Sequence, residues 1–329
     1  MPTVDVHNHY YPPEYFNALT KFNSVVKVTY DTEGNPLVHY PGDYNIAVRG
    51  HRDIAYRETV LAAEGVDRQI LSLTTPGTHV EKPEVAVALA AITNDAFARV
   101  VSERGARFSA FATLPLCDSQ ASVKEFVRAV DQLKLSGAML FSNVNGEALS
   151  DEKFWPIYEV ANDLDAVLYI HPTAPVGVEA MQQYWLMPLV GFLMDTTLAA
   201  ASLVFAGVPE RFPRIRWALC HLGGAVPYMA ERFDRGFHAF RDCRAHITQP
   251  PSTYLRQFYY DTVNFDIHAL ELAIAFAGAD RILAGSDYPH QIGSIPSMLD
   301  AIHTLTISDR DRAAILGLNA AKLLSLAAT

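Results

Sequence analysis

Cysteine is scarce in this chain. It holds three, Cys117, Cys220 and Cys243, an odd number without a CxxC pair, which argues against a disulfide framework and predicts a reducing compartment. Basic residues are also few. With 26 Lys and Arg against 36 Asp and Glu, the formal charge is −10, and no block of Lys or Arg offers the basic face that nucleic acid requires. Long unbroken apolar runs are missing as well. The most apolar stretch, 184–208, is interrupted by Pro188, Asp195, Thr196 and Thr197, so it falls short of the about 20 residues of a bilayer span and is expected as two buried helices. Met1-Pro2-Thr3 leads into the first apolar run without a basic or apolar leader, which predicts a cytoplasmic protein. No GxGxxG opens a helix, and no low-complexity tract or long-period repeat is present.

What the chain does have is a regular alternation. Its 329 residues, 50% apolar and 19% charged, are enough for a substantial core. That length fits one large α/β barrel or two ordinary domains, and the patterning decides. Short apolar runs at 4–9, 68–73, 108–114, 137–141, 166–171, 215–221, 258–263 and 282–287 read as strands covered on both faces. Helical periodicity separates most of them, at 54–63, 85–103, 122–133, 152–164, from near Gly224, and at 268–277. Eight strands with intervening helices predict a single α/β domain over 1–329, a (β/α)8 TIM barrel closed by a helix at 309–326. A doubly wound sheet is the main competitor. Two insertions interrupt the barrel: a hairpin after the first strand, at 25–30 and 37–40 around the turn Asp31-Thr32-Glu33-Gly34-Asn35-Pro36, and the apolar helical segment after the fifth.

The run VDVHNH at 4–9 organises the chemistry. Side chains two apart on a strand share a face, so His7 and His9 turn together and can grip one cation, with Asp5 deeper on that face as a buried hydrogen-bonding group. Three later runs, at 168–171, 217–221 and 282–287, end in His171, His221 and Asp287. The carboxyl ends of parallel barrel strands open onto one mouth, so all five groups are expected there. Imidazole and carboxylate together suit zinc or a neighbouring first-row divalent ion with positions left open for water or substrate. His39, His51, His79, His238, His246, His268 and His303 fall on expected loops or helices away from the mouth and are assigned no chemistry.

The segments VDVHNHYYP, YIHPTAP, CHLGGAVPYMAERFD and LAGSDYP resemble the amidohydrolase superfamily, and within it the branch of aminocarboxymuconate-semialdehyde and resorcylate-type decarboxylases. EGVDRQILS, WLMP at 185–188, PERFP and NAAKLL at 319–324 extend the resemblance over nearly the whole chain. It implies that His7, His9, His171 and Asp287 hold one divalent metal, zinc with manganese as the alternative, and that His221 lies beside it as an acid/base or substrate-orienting group. A second metal is not implied, because MLFS at 139–142 lacks the lysine that bridges two metals in binuclear relatives. The implied activity is non-oxidative decarboxylation of a small aromatic or dienoic carboxylic acid, with His221 or Asp287 managing the proton. A metal-dependent hydrolase of a lactone, ester or amide is the alternative, and a binding protein that has lost catalysis is a third reading. Relatives of this kind also imply a homodimer, with the apolar insertion as the buried face.

A decarboxylase must hold a carboxylate, which arginine does best. Arg49, Arg52, Arg235 and Arg241 are nearest by position, each more readily read as a surface or helix-face charge than as an anchor. Where the substrate-binding arginine of the aminocarboxymuconate enzyme aligns, this chain carries Asn45, which argues against that same substrate. Trp185 resembles an aromatic that lines the pocket in relatives, and His290 stands where relatives commonly carry an aromatic; with Asn45 and Arg49 they are the candidate substrate contacts.

Overall fold

Parallel strand segments with every residue buried, or nearly so, carry the fold. In this computed structural model residues 2–40 and 43–326 are described. Val4–His9, Arg68–Ser72 and Phe108–Ala110 pair in that order as one parallel sheet, and Ala112–Thr113, Ala138–Phe141, Val167–His171, Arg216–Leu219, Tyr259–Asp261 and Ile282–Leu283 as another. The two sheets meet at Phe111. Its amide donates to Leu71 O at 2.9 Å, while that of Ala112 donates to Gly137 O at 2.9 Å. At their other edges Val6 N donates to Ala284 O at 2.9 Å and Asp287 N to His7 O at 2.7 Å.

All eight expected strands are present, in the expected order, yet several are shorter. The run expected to end at His221 stops at Leu219, and the one expected to reach Asp287 stops at Leu283. The backbone explains both. His221 has φ 50° and Asp287 φ 57°, left-handed values that no strand residue adopts.

Helices follow the capping chemistry of the sequence. Ile54–Glu64 opens with Asp53 accepting from Tyr56 N and closes on Gly65 at φ 72°, a conformation glycine takes at little cost. Asp118 and Asp266 cap Ser119–Val127 and Ile267–Ala277 in the same way. The carboxy-terminal helix expected to run to 326 ends at Leu323. Among the described residues, α-helices also stand where none was expected, at Pro13–Lys21, Arg49–Arg52, Val208–Arg211, Pro251–Leu255 and Ile295–Thr304.

The expected hairpin after the first strand is present as Lys27–Tyr30 and Pro36–Tyr40, and a third antiparallel strand, Asp43–Ile46, extends it. The third strand pairs Asn45 with Val38. Asp43 and Asn45 are residues depleted in strands, so pairing with its neighbour contributes beyond local preference to forming it. The apolar insertion is one continuous helical run, Met187–Gly191 passing into Phe192–Phe205, instead of two helices. It and Pro83–Arg104 are long and apolar enough to cross a membrane, although 44% and 50% of their most apolar windows are buried against the protein.

Candidate metal centre

Strand alternation turns Asp5, His7 and His9 to one face of Val4–His9, and all three are fully buried. A register shift between Asp5 and Asn8 interrupts the pairing with Arg68–Ser72, the kind of irregularity that re-aims side chains beside functional sites. His7, His9, His171 and Asp287 each offer one donor atom, and the four atoms lie within 4.8 Å of one another.

The far nitrogens of the three imidazoles are already committed. His7 Nδ1 pairs with Asp261 Oδ2 at 2.6 Å, His9 Nδ1 with Ser72 Oγ at 3.1 Å, and His171 Nδ1 with Pro172 O at 2.8 Å. Ser72 Oγ itself donates to Asn8 O, so it can only accept from His9. Each partner therefore asks for a proton on Nδ1 and leaves Nε2 as the inward atom, an outer shell suited to metal-ligating histidine. His7 Nε2, His9 Nε2 and Asp287 Oδ1 are buried without a hydrogen-bond partner. Buried polar atoms are seldom left so, and three converging ones fit a cation bound by imidazole and carboxylate.

Asp261 holds this arrangement together. Its Oδ2 receives His7 Nδ1, Tyr169 OH at 2.6 Å and His221 N at 3.2 Å, while Oδ1 receives Leu222 N at 3.1 Å and Val263 N at 2.9 Å. One carboxylate thus orients a candidate ligand and pins the left-handed turn that presents His221. Gly285 makes the approach possible: a Cβ there would stand 2.8 Å from His7 Cβ and 3.0 Å from Asp261 Cβ.

Burial is the largest single influence on Asp261, Asp287, His7, His9 and His171, and charged neighbours reverse it for the first three. It would raise Asp261 and Asp287, but contact with histidines holds Asp261 below and Asp287 well below the usual carboxylate value. Burial pulls His7 down, yet Asp261 and then Asp287 carry it up to about 10, whereas His9 falls to about 3 and His171 well below its ordinary value. Two ionised buried carboxylates thus demand positive charge between them, and a divalent cation would supply it.

The centre opens into a cavity of about 590 Å³. His171, His221 and Asp287 form part of its wall, as do Trp185, Asn45 and His290. His221 Nε2 lies 3.8 Å from Asp287 Oδ2. Trp185 is 58% exposed and meets Tyr44 edge-on at 6.4 Å. Arg49 is not brought to this wall. Its side chain is 63% exposed and pairs with Asp53 at 2.9 Å. Arg52 bonds Ala47 O, Arg235 pairs with Glu231, and Arg241 is exposed.

Three residues escaped the sequence reading. Asp261 had a usable signal, an acid at the carboxyl end of the seventh strand, where catalytic groups gather. His51, expected away from the mouth, is buried in the cavity wall; the short Arg49–Arg52 helix folds it inward, and no sequence periodicity marks that turn. Arg57 is fully buried, donating to Asn8 Oδ1 and Gln69 Oε1 at 2.8 Å and to the carbonyls of His9 and Gly50. Asp5, by contrast, has its expected buried role, accepting from Gln69 Nε2 and Ser286 Oγ at 2.7 Å.

With this geometry in hand, likeness to known proteins becomes informative. The amidohydrolase family model matches residues 4–326. The chain belongs to that family. Among curated amidohydrolase relatives, 2-amino-3-carboxymuconate-6-semialdehyde decarboxylase of Dictyostelium discoideum is 32% identical, covering 98% of this chain and 91% of its own. Gamma-resorcylate decarboxylase of Rhizobium radiobacter is 29% identical over 87% of this chain and 92% of its own. Among solved amidohydrolase structures, 2,6-dihydroxybenzoate decarboxylase complexed with 2,6-dihydroxybenzoate superposes with a TM-score of 0.83 at 26% identity, covering 99% of this chain and 100% of that one. A dihydroxybenzoic acid decarboxylase from Polaromonas with bound manganese has a TM-score of 0.83 at 26% identity, covering 100% and 98%. Both comparisons favour carbon–carbon lyases over hydrolases.

Proposed function

We propose that this protein is a metal-dependent, non-oxidative decarboxylase of a small aromatic or dienoic carboxylic acid. The observation that carries the reading is the set of inward, unpartnered atoms on His7, His9 and Asp287 beside His171, opening on a cavity large enough for a single substituted ring. His7, His9, His171 and Asp287 would hold one divalent ion, zinc or manganese, which when bound polarises a substrate oxygen and stabilises charge beside the scissile bond.

The chain's own residues do the remaining work. Asp287 divides its carboxylate, Oδ1 facing the nitrogens of His7 and His9 and Oδ2 facing His221. His221 and Asp287 together keep a proton beside the substrate. That proton goes to the carbon bearing the carboxylate. The bond to the carboxyl carbon then breaks, its electron pair stays with the ring or diene, and carbon dioxide leaves. Trp185 and the apolar side chains of the cavity bury the ring and exclude water.

The same proposal covers architecture and assembly. Phe108–Ala110 and Ala112–Thr113 are consecutive, and the backbone bonds between 6–7 and 284–287 join the outer edges, which supports one (β/α)8 barrel domain over 1–329 with two insertions. A cytoplasmic homodimer is the expected form, its three cysteines free.

The decisive experiment incubates metal-loaded protein with hydroxybenzoates and with lactones. Carbon dioxide release from the acids supports the reading; ring opening of lactones without carbon dioxide release overturns it.

A further inference from the structure

His51 has no task in the metal centre, yet it is built into the cavity. It is 1% exposed, and neither ring nitrogen has a hydrogen-bond partner. A buried imidazole with both nitrogens unmet is kept where a ligand answers it. Its ring lies 4.9 Å from that of His290, whose Nε2 meets Thr74 Oγ1 at 3.2 Å. Asn45 joins the same cavity wall. Its amide nitrogen donates to Thr75 O at 2.7 Å and Thr75 Oγ1 at 2.8 Å; the carbonyl partner fixes the amide orientation and leaves oxygen as the atom Asn45 can offer.

Charge sorts the ligands this cavity can take. Among the described residues lining it there is no Lys or Arg, and the acids are Asp31, Glu33 and Asp287. Hydrogen bonds from Asn35 hold Asp31 below its ordinary value, so it is ionised at neutral pH. A second carboxylate on the substrate would meet two acids and an amide oxygen instead of an arginine fork, and would go unpaired. A hydroxyl meets no such objection. Burial, then His290 and Arg57, push His51 well below its usual value and keep it neutral. A neutral imidazole offers one donor and one acceptor, as a hydroxyl does.

We infer that His51 is a specificity-determining residue that hydrogen-bonds a neutral hydroxyl of the substrate, so that the cavity takes hydroxylated monocarboxylic acids and rejects acids carrying a second carboxylate. The inference rests on the decarboxylase reading for its choice of acids, and it is tested by binding, which is scored apart from turnover.

Manganese-loaded protein is titrated calorimetrically with salicylate, its ring-hydroxylated derivatives and its ring-carboxylated derivatives. At least one added hydroxyl should tighten binding about tenfold, and every added carboxylate should weaken it about tenfold, the scale of one hydrogen bond to a buried partner. His51→Phe should abolish the hydroxyl gain while leaving salicylate within roughly twofold, and His51→Asn, which keeps a donor and an acceptor, should restore part of it. Thermal melting of both variants checks the fold. A carboxylated derivative that binds as tightly as its hydroxylated counterpart overturns the inference, a comparison that wild-type protein alone provides. Equal weakening of salicylate and hydroxysalicylates by His51→Phe in a folded variant overturns it too. Absence of carbon dioxide from every acid, with the binding pattern intact, would remove the decarboxylase reading and leave the role of His51 standing.

Discussion

One side chain, Asp261, connects the two halves of the proposed chemistry, because a single carboxylate both orients His7 and holds the amides of His221 and Leu222. Replacing it with Asn keeps the size but offers only one acceptor oxygen to five donors. Outer partners of metal-ligating histidines are worth about 10–100-fold in metal affinity, so Asp261→Asn should weaken manganese or zinc binding by that factor in a chelator competition titration. A variant with unchanged affinity would show that the Asp261–His7 pair is only structural. His221 separates from the ligands in the same assay: His171→Ala should lose metal and activity together, whereas His221→Ala should keep most of its metal and lose turnover. Near-normal rates in His221→Ala would remove it from the mechanism. A different histidine bears on pH. His79, buried against Phe141, is pushed down by burial from 6.5 to about 4. The unfolded chain takes up this proton first, so the contribution of His79 is fully present above about pH 6.5 and is lost as pH falls towards 4, to the extent of about 3 kcal/mol. His79→Gln should flatten denaturant-derived stability across that window; an unaltered slope would assign the acid sensitivity elsewhere.

At the scale of elements, Arg57 is where the first strand, the short Arg49–Arg52 helix and the loop after Asp287 are joined. Its guanidinium reaches Asn8, Gln69 and the carbonyls of His9 and Gly50, and lies 5.0 Å over the ring of Tyr288. Burial drags it down to about 10, so it stays charged at neutral pH, and among the described residues no carboxylate forms an ion pair with it. Truncation strands several buried acceptors at once, and Arg57→Ala should cost about 3–5 kcal/mol in denaturant unfolding. A loss below about 1 kcal/mol would show that water replaces the side chain freely. Nothing in the sequence announced this residue, since a lone Arg on an amphipathic helix reads as a surface charge. The strands and the clustering of His7, His9, His171 and Asp287 were legible for the opposite reason: runs such as YIH and GSD place a polar group at the end of an apolar segment, a local pattern. His51 and the strand at Asp43–Ile46 were not, because each depends on contacts distant in sequence. The turns at His221 and Asp287 escaped for a further reason, namely that non-glycine residues adopt left-handed φ only where surrounding bonds impose it.

For the whole molecule, the apolar insertion raises the question of what covers it. Val190, Met194 and Leu198 recur every four residues along the helix and are 45%, 44% and 60% exposed, while Tyr184 and Trp185 just before it are 80% and 58% exposed. Scattered apolar residues are ordinary on a surface, but a contiguous stripe marks an interaction face. The proposed homodimer would set a second copy of this chain on it, and Trp185 and Leu189 belong both to this face and to the cavity wall. A partner seated there would narrow the cavity mouth and exclude water from the site, strengthening every electrostatic contact inside. Sedimentation velocity should therefore find a dimer at micromolar concentration. Leu198→Glu, which sets two like charges against each other across a two-fold interface while leaving the metal centre untouched, should shift the protein to monomer and retain stoichiometric metal. A wild-type protein that sediments as a monomer throughout, or a Leu198→Glu variant that remains dimeric, would place the interface elsewhere.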